Sequence, residues 1–137
     1  MQRLFCISGL MMALTTPGIA ADLTFSVTNV SEPVGQLMWV LYDSAEAYAG
    51  EGQPVVSAKS RLDSDSVRIT LHDLVPGRYA IKLFHDANSN GELDTNLIGM
   101  PTEGYGFSNN AGRMGPPSFD DAAVDLKNDT AIEIKVR

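Results

Sequence analysis

Four runs of this chain alternate apolar and polar residues with a period of two, which confines much of it to half-buried β-strands. Leu23, Phe25 and Val27 alternate with Thr24, Ser26 and Thr28, so one face of that strand is dry and the other wet. Val67, Ile69 and Leu71 repeat the pattern, Tyr79, Ile81 and Leu83 repeat it again, and Ile132, Ile134 and Val136 end the chain with it. Gln36 to Tyr42, "QLMWVLY", is apolar on both faces and reads as a central strand covered on both sides. Val55 to Ala58 is a weaker strand candidate, and Ala122 to Leu126 supplies a further one. Ser44 is placed to cap one short helical turn, and Val75 to Arg78, "VPGR", sets proline and glycine at the two central positions that a type II turn prefers. About seven strands with such punctuation, and no long helical pattern, predict an all-β antiparallel sandwich with at most a short helical turn.

The first 21 residues stand apart from this pattern. Met1 to Arg3 carry a positive charge, Leu4 to Leu14 are mostly apolar, and Pro17 precedes the small residues Gly18, Ala20 and Ala21. That order is a secretory signal peptide cut after Ala20 or Ala21, leaving residues 22–137 as one domain in the periplasm or outside the cell. The apolar run is shorter than the roughly 20 residues that span a bilayer, and no second such run follows. Cys6, the only cysteine, leaves with the leader, so the mature fold rests on core burial without a disulfide. Loss of Arg3 leaves 9 basic against 17 acidic side chains, a net charge of -8. Such a surface repels nucleic acid and anionic lipid, and it suits solubility or cation binding.

The segment from His85 to Phe119 is rich in Gly, Asn and Pro and too long for a hairpin loop, which makes it the candidate site. It opens with "HDANSNGELD". Counted from Asp86 as position 1 of a calcium loop, Asn88 falls at 3, Asn90 at 5, Gly91 at 6, Glu92 at 7 and Asp94 at 9. Oxygens at 1, 3 and 5 converge on one hard cation when a tight turn at the position 6 glycine folds the chain round it, and position 7 offers its backbone carbonyl. Leu97 stands at position 12 in place of the bidentate Glu, so a missing ligand must come from elsewhere, with Glu103, Asp120 and Asp121 as candidates. The competing reading is a loop in which Asp and Asn only make side-chain-to-backbone turns.

Further along, "EGYGFSNNA" sets Tyr105 and Phe107 between glycines, whose missing side chains let the backbone pass close to a neighbour while the rings lie flat on core or on a guest. "GPPSFDDAAV" pairs Ser118 with Asp121 as a helix cap. These motifs carry a resemblance. Pro76 to Tyr79, His85 to Asp94, Pro101 to Asn110 and Gly115 to Ala122, in that order, resemble the bacterial secreted family catalogued as domain of unknown function 2141. The resemblance implies a small periplasmic or secreted sandwich, transthyretin-like or immunoglobulin-like, and brings no established activity.

Function is then expected from the long loop: a non-enzymatic module whose calcium-binding residues Asp86, Asn88, Asn90, Glu92, Asp94 and Glu103 order a ligand surface of His85, Tyr105, Phe107, Asn109 and Asn110. The partner would be an envelope protein or a carbohydrate. Alternatives are a small hydrolase using His85 and the loop acids, and a metal-free interaction domain. His85 shares the strand face of Tyr79, Ile81 and Leu83, where a hydrogen-bonded core histidine also fits. No nucleophile-elbow sequence supports a catalytic triad.

Overall fold

The computed structural model describes residues 19–99 and 101–137, so the expected leader lies outside the described residues as far as position 18. The strands are β1 (Ala21–Thr28), β2 (Gln36–Tyr42), β3 (Val56–Arg61), β4 (Val67–Leu74), β5 (Gly77–Asp86), β6 (Tyr105–Phe107), β7 (Val124–Leu126) and β8 (Thr130–Lys135). Two four-residue helices, α1 (Ala45–Tyr48) and α2 (Phe119–Ala122), interrupt them. A three-stranded sheet, β4-β1-β8, faces a five-stranded one, β3-β2-β5-β6, in which β7 pairs with the start of β5. This is the expected all-β sandwich, antiparallel throughout except that β8 runs parallel to β1.

The period-two pattern explains the core. Leu23, Phe25 and Val27 project from β1 onto Leu37, Trp39 and Leu41 of β2 and Tyr79, Ile81 and Leu83 of β5, and all nine are buried in one cluster. Phe25 meets Trp39 edge to face at 5.3 Å between ring centroids, the geometry that aromatic quadrupoles prefer. The Trp39 indole N–H donates to the Ser60 hydroxyl at 3.2 Å, so the one polar atom of that ring is satisfied.

Two local expectations change. Gly77 has no positive φ and is already the first residue of β5, so "VPGR" is not a type II turn. The physical reason is topological: β4 and β5 lie in different sheets, and the segment crosses the sandwich instead of folding a hairpin. Helix content also exceeds a single turn, because both anticipated caps form. Ser44 accepts from the Ala47 N–H at the start of α1, and Ser118 with Asp121 forms a reciprocal capping box at α2.

The two sheets join along one seam. The Tyr105 N–H donates to the Arg137 carbonyl at 3.1 Å, and the Arg137 N–H returns to the Tyr105 carbonyl at 3.0 Å. The seam is tight: a Cβ built on Gly106 would stand 2.9 Å from Ile134 Cγ2, and one on Gly104 only 2.3 Å from Val136 Cγ1. Gly106 is therefore the inward residue of β6, Gly104 just before the strand packs as closely, and the aromatics face the other way.

Phe25→Ala should cost about 3 to 5 kcal/mol, the usual loss when a fully buried aromatic is truncated. Urea unfolding followed by Trp39 fluorescence checks this, and a loss below about 1 kcal/mol would show that the core collapses around the gap.

Candidate functional site

Asp86 is the last residue of β5 and sits opposite Gln36 of β2 in the antiparallel register. Its side chain is fully buried. Oδ2 accepts from Gln36 Nε2 and from the Gly91 N–H, both at 2.7 Å, and Oδ1 accepts from the Asn90 N–H at 3.1 Å. Burial by itself pushes the carboxyl pKa upward. The hydrogen bonds from Gln36, Gly91 and Asn90, with the neighbouring His85, outweigh that effect and hold it below the ordinary 3.8.

The rest of the loop closes on the same chemistry. Gly91 at φ 79° makes the turn that aims its N–H back at Asp86. Asn88 Nδ2 and Asn90 Nδ2 donate to the two oxygens of Asp94 at 2.6 and 2.7 Å, while their amide oxygens accept the N–H groups of Asn90 and Glu92. Glu103 ties the loop shut at its far end, with one carboxylate oxygen on the Ala87 N–H at 2.7 Å and the other on the Asp94 N–H at 2.9 Å. Of the three acids weighed for the missing ligand, only Glu103 reaches the loop. Asp120 pairs with Arg78 and Asp121 caps α2, both near the opposite end of β5, about 25 Å away at 3.3 Å per residue.

Among the described residues, no three carboxylate, histidine or cysteine side chains are grouped to hold a metal. The donor set is nevertheless all oxygen, as a hard cation requires. Asp86, Asp94, the Asn88 and Asn90 amide oxygens and the Glu92 carbonyl are the groups that would hold it.

The residues expected to form a ligand surface are separated by the fold. His85 points into the core edge, 3% exposed, with Nε2 donating to the Val34 carbonyl at 2.6 Å. Asn109 donates to the carbonyls of Asp121 and Ala123, and Asn110 grips β8 by accepting the Lys135 N–H and donating to the Glu133 carbonyl. Ser108 is buried, with its hydroxyl between the Ile81 N–H and the Ala122 carbonyl. Asn109 is exposed although its amide nitrogen is engaged, while Tyr105 and Phe107 lie half-buried side by side, with rings edge to face at 6.1 Å.

What those two rings face is a groove that the sequence did not reveal. Register aligns Met38, Phe84 and Tyr105 in one row across β2, β5 and β6, and Val40, Lys82 and Phe107 in the next. These rows floor an apolar groove of about 750 Å³, walled by Leu93, Gly99 and Pro101 of the loop and by Gly115 and Pro116. Beyond the Lys82 row, Tyr48, Phe119 and Ala122 pack on Tyr42 and Ala80 and cover the rest of that face. The "QLMWVLY" strand is thus covered on one side by the partner sheet and borders the groove on the other. Its two-faced apolarity was the available signal, and only the position of the loops separates a groove from a second core.

A family model described as an uncharacterized protein conserved in bacteria (DUF2141) matches residues 25–134. The chain belongs to that family. The match spans the sandwich from β1 to β8 and includes the acidic loop and the groove. No curated protein and no solved structure gives a significant match. No helix among the described residues is long and apolar enough to cross a membrane.

Because the native state holds the Asp86 carboxyl below its unfolded value, the unfolded chain binds the proton more readily. The stabilisation is complete above about pH 4 and is lost as pH falls through the native value. Asp86→Asn should therefore be less stable than wild type at pH 7, with the difference shrinking at pH 3. Urea midpoints of both proteins at the two pH values check this, and a gap that widens at pH 3 would contradict it.

Proposed function

We propose that this protein is a non-enzymatic binding module, exported to the periplasm or beyond, which holds an apolar guest in the groove on its five-stranded sheet. The groove carries the reading. Its volume of about 750 Å³ lies within the usual ligand-site range of about 300 to 1,000 Å³, and its floor is built on paired strands, which hold side chains more firmly than loops do. Leu97, Ile98 and Met114 are strongly exposed on the two loops that border it, extending the apolar surface past the rim.

In this reading the acidic loop serves the groove: Asp86 and Glu103 fix its two ends, and that fixes Leu93 and Pro101 as a wall. Calcium bound by Asp86, Asn88, Asn90, the Glu92 carbonyl and Asp94 would stiffen the same wall, contributing charge neutralisation and no chemistry. The polar groups that a hydrolase would need are occupied in structural bonds. His85 holds Val34, His72 pairs with Asp22, and Ser108 holds Ala122.

A neutral solvatochromic dye, Nile red, should bind the purified protein with a blue-shifted emission. Val40→Glu, which sets a charge mid-floor, should weaken binding about tenfold or more, roughly the penalty for an unpaired charge on an apolar surface. No dye binding to the folded wild type would dismiss the groove.

Calcium at about 1 mM, against a dissociation constant on the order of 0.1 to 1 mM for such modules, should raise the melting temperature by roughly 2 to 8 °C. Asp86→Ala should abolish the rise, and Asp43→Ala should keep it. Identical melts in chelator and in calcium would mean that hydrogen bonds alone order the loop.

A further inference from the structure

Resting on the groove reading, we infer that the guest is a long-chain carboxylate, its acidic head paired with Lys82 and its chain lying over Met38, Phe84 and Tyr105 toward Leu93. Charge is the first support. The chain has 17 acidic and 10 basic side chains, yet the groove lining contains Lys59 and Lys82 and no Asp or Glu. An acidic protein that keeps carboxylates out of one apolar groove and places ammonium groups there presents that groove to an anion.

The setting of Lys82 supplies the second support. Its Nζ lies 3.8 Å from the centre of the Tyr48 ring and 5.1 Å from that of Tyr42, and it donates to the Tyr48 carbonyl at 2.7 Å. An ammonium has three donors, so two remain for a carboxylate. The ion pairs among the described residues belong to His72 and Arg78, which leaves Lys82 without a carboxylate of its own. Partial burial of a cation is costly unless a counter-charge arrives. The two tyrosines hold the ammonium at the closed end of the groove, where a head group would stop.

Direction follows from the register. Lys82 lies across from Val40 and Phe107, and Phe84 from Met38 and Tyr105, one row nearer the loop. Successive rows on one face stand about 7 Å apart. Tyr48 and Phe119 fill the space on the other side of Lys82. The chain of a guest with its head at Lys82 therefore runs over the Met38 row, toward Leu93 and Pro101.

Displacement of Nile red from the purified protein tests the head group. Dodecanoate should bind at least tenfold more tightly than 1-dodecanol, and dodecyltrimethylammonium more weakly than either. Affinity should rise about fourfold for each methylene added to the carboxylate until the chain leaves the groove. Lys82→Met, which keeps the stem and removes the charge, should erase the preference of acid over alcohol and leave alcohol binding in place. Equal displacement by acid and alcohol in wild type would overturn the carboxylate assignment while the groove stands. A preference that survives Lys82→Met but falls in Lys59→Met would overturn the assignment of the head to Lys82. Dye binding that drops as the protein itself dimerises would overturn it in favour of a second copy. If the dye never binds, the groove reading fails first and this one with it.

Discussion

The buried carboxylate of Asp86 is the point on which loop and groove both depend. It ties the loop turn, through Asn90 and Gly91, to the paired ends of β2 and β5, where Gln36 stands opposite it in the register. A buried charge is tolerated only where donors surround it, and here the donors come from fixed backbone and a neighbouring strand. Glu103 repeats the device sixteen residues from Ala87, so a long segment is held at both ends by carboxylate-to-backbone bonds. Because the loop is anchored in this way, Leu93 and Pro101 occupy set positions over the sheet, and an otherwise exposed apolar face becomes a groove.

The strand that ends in Asp86 also separates the core from the groove. Ile81, Leu83 and His85 point inward to the core, while Lys82 and Phe84 point outward to the groove. Strand β6 does the same in three residues. Gly106 is inward because Ile134 leaves no room for a side chain, and the two aromatics are consequently outward. A shift of one residue in either register would exchange core for groove. The seam between Tyr105 and Arg137 and the grip of Asn110 on β8 oppose that shift.

At the other end of the outward face, α1 and α2 place a small aromatic cluster over the sheet. Tyr48 meets Tyr42 and Phe119 edge to face at 5.4 and 5.9 Å. Burial, then the nearby Tyr42 and Asp121, push the Tyr48 hydroxyl pKa up to about 12, so it stays a neutral donor to the Pro117 carbonyl at 3.0 Å. The cluster closes one end of the groove and leaves the ammonium of Lys82 at the boundary between packed rings and open space.

Much of this was legible in the residues. Alternation of Leu23, Phe25 and Val27 with polar neighbours specifies which face is buried, because side chains along a strand point alternately to opposite faces whatever the fold around them. The Ser44 and Ser118 caps were readable for the same reason: a cap is a contact within four residues. The turn at Gly91 was local too. The sequence could not decide which sheet each strand joins, so "VPGR" read as a type II turn and became a crossing between sheets. It also could not decide whether Asn109, Asn110 and His85 face a guest or the protein's own backbone, since their partners at Val34, Asp121 and Glu133 lie far away along the chain. The apolar outer face of "QLMWVLY" was visible as a pattern. Whether a layer of protein fills the space above it or two loops leave it open is set by Asp86 and Glu103 through long-range bonds, and such contacts exist only once the chain has folded.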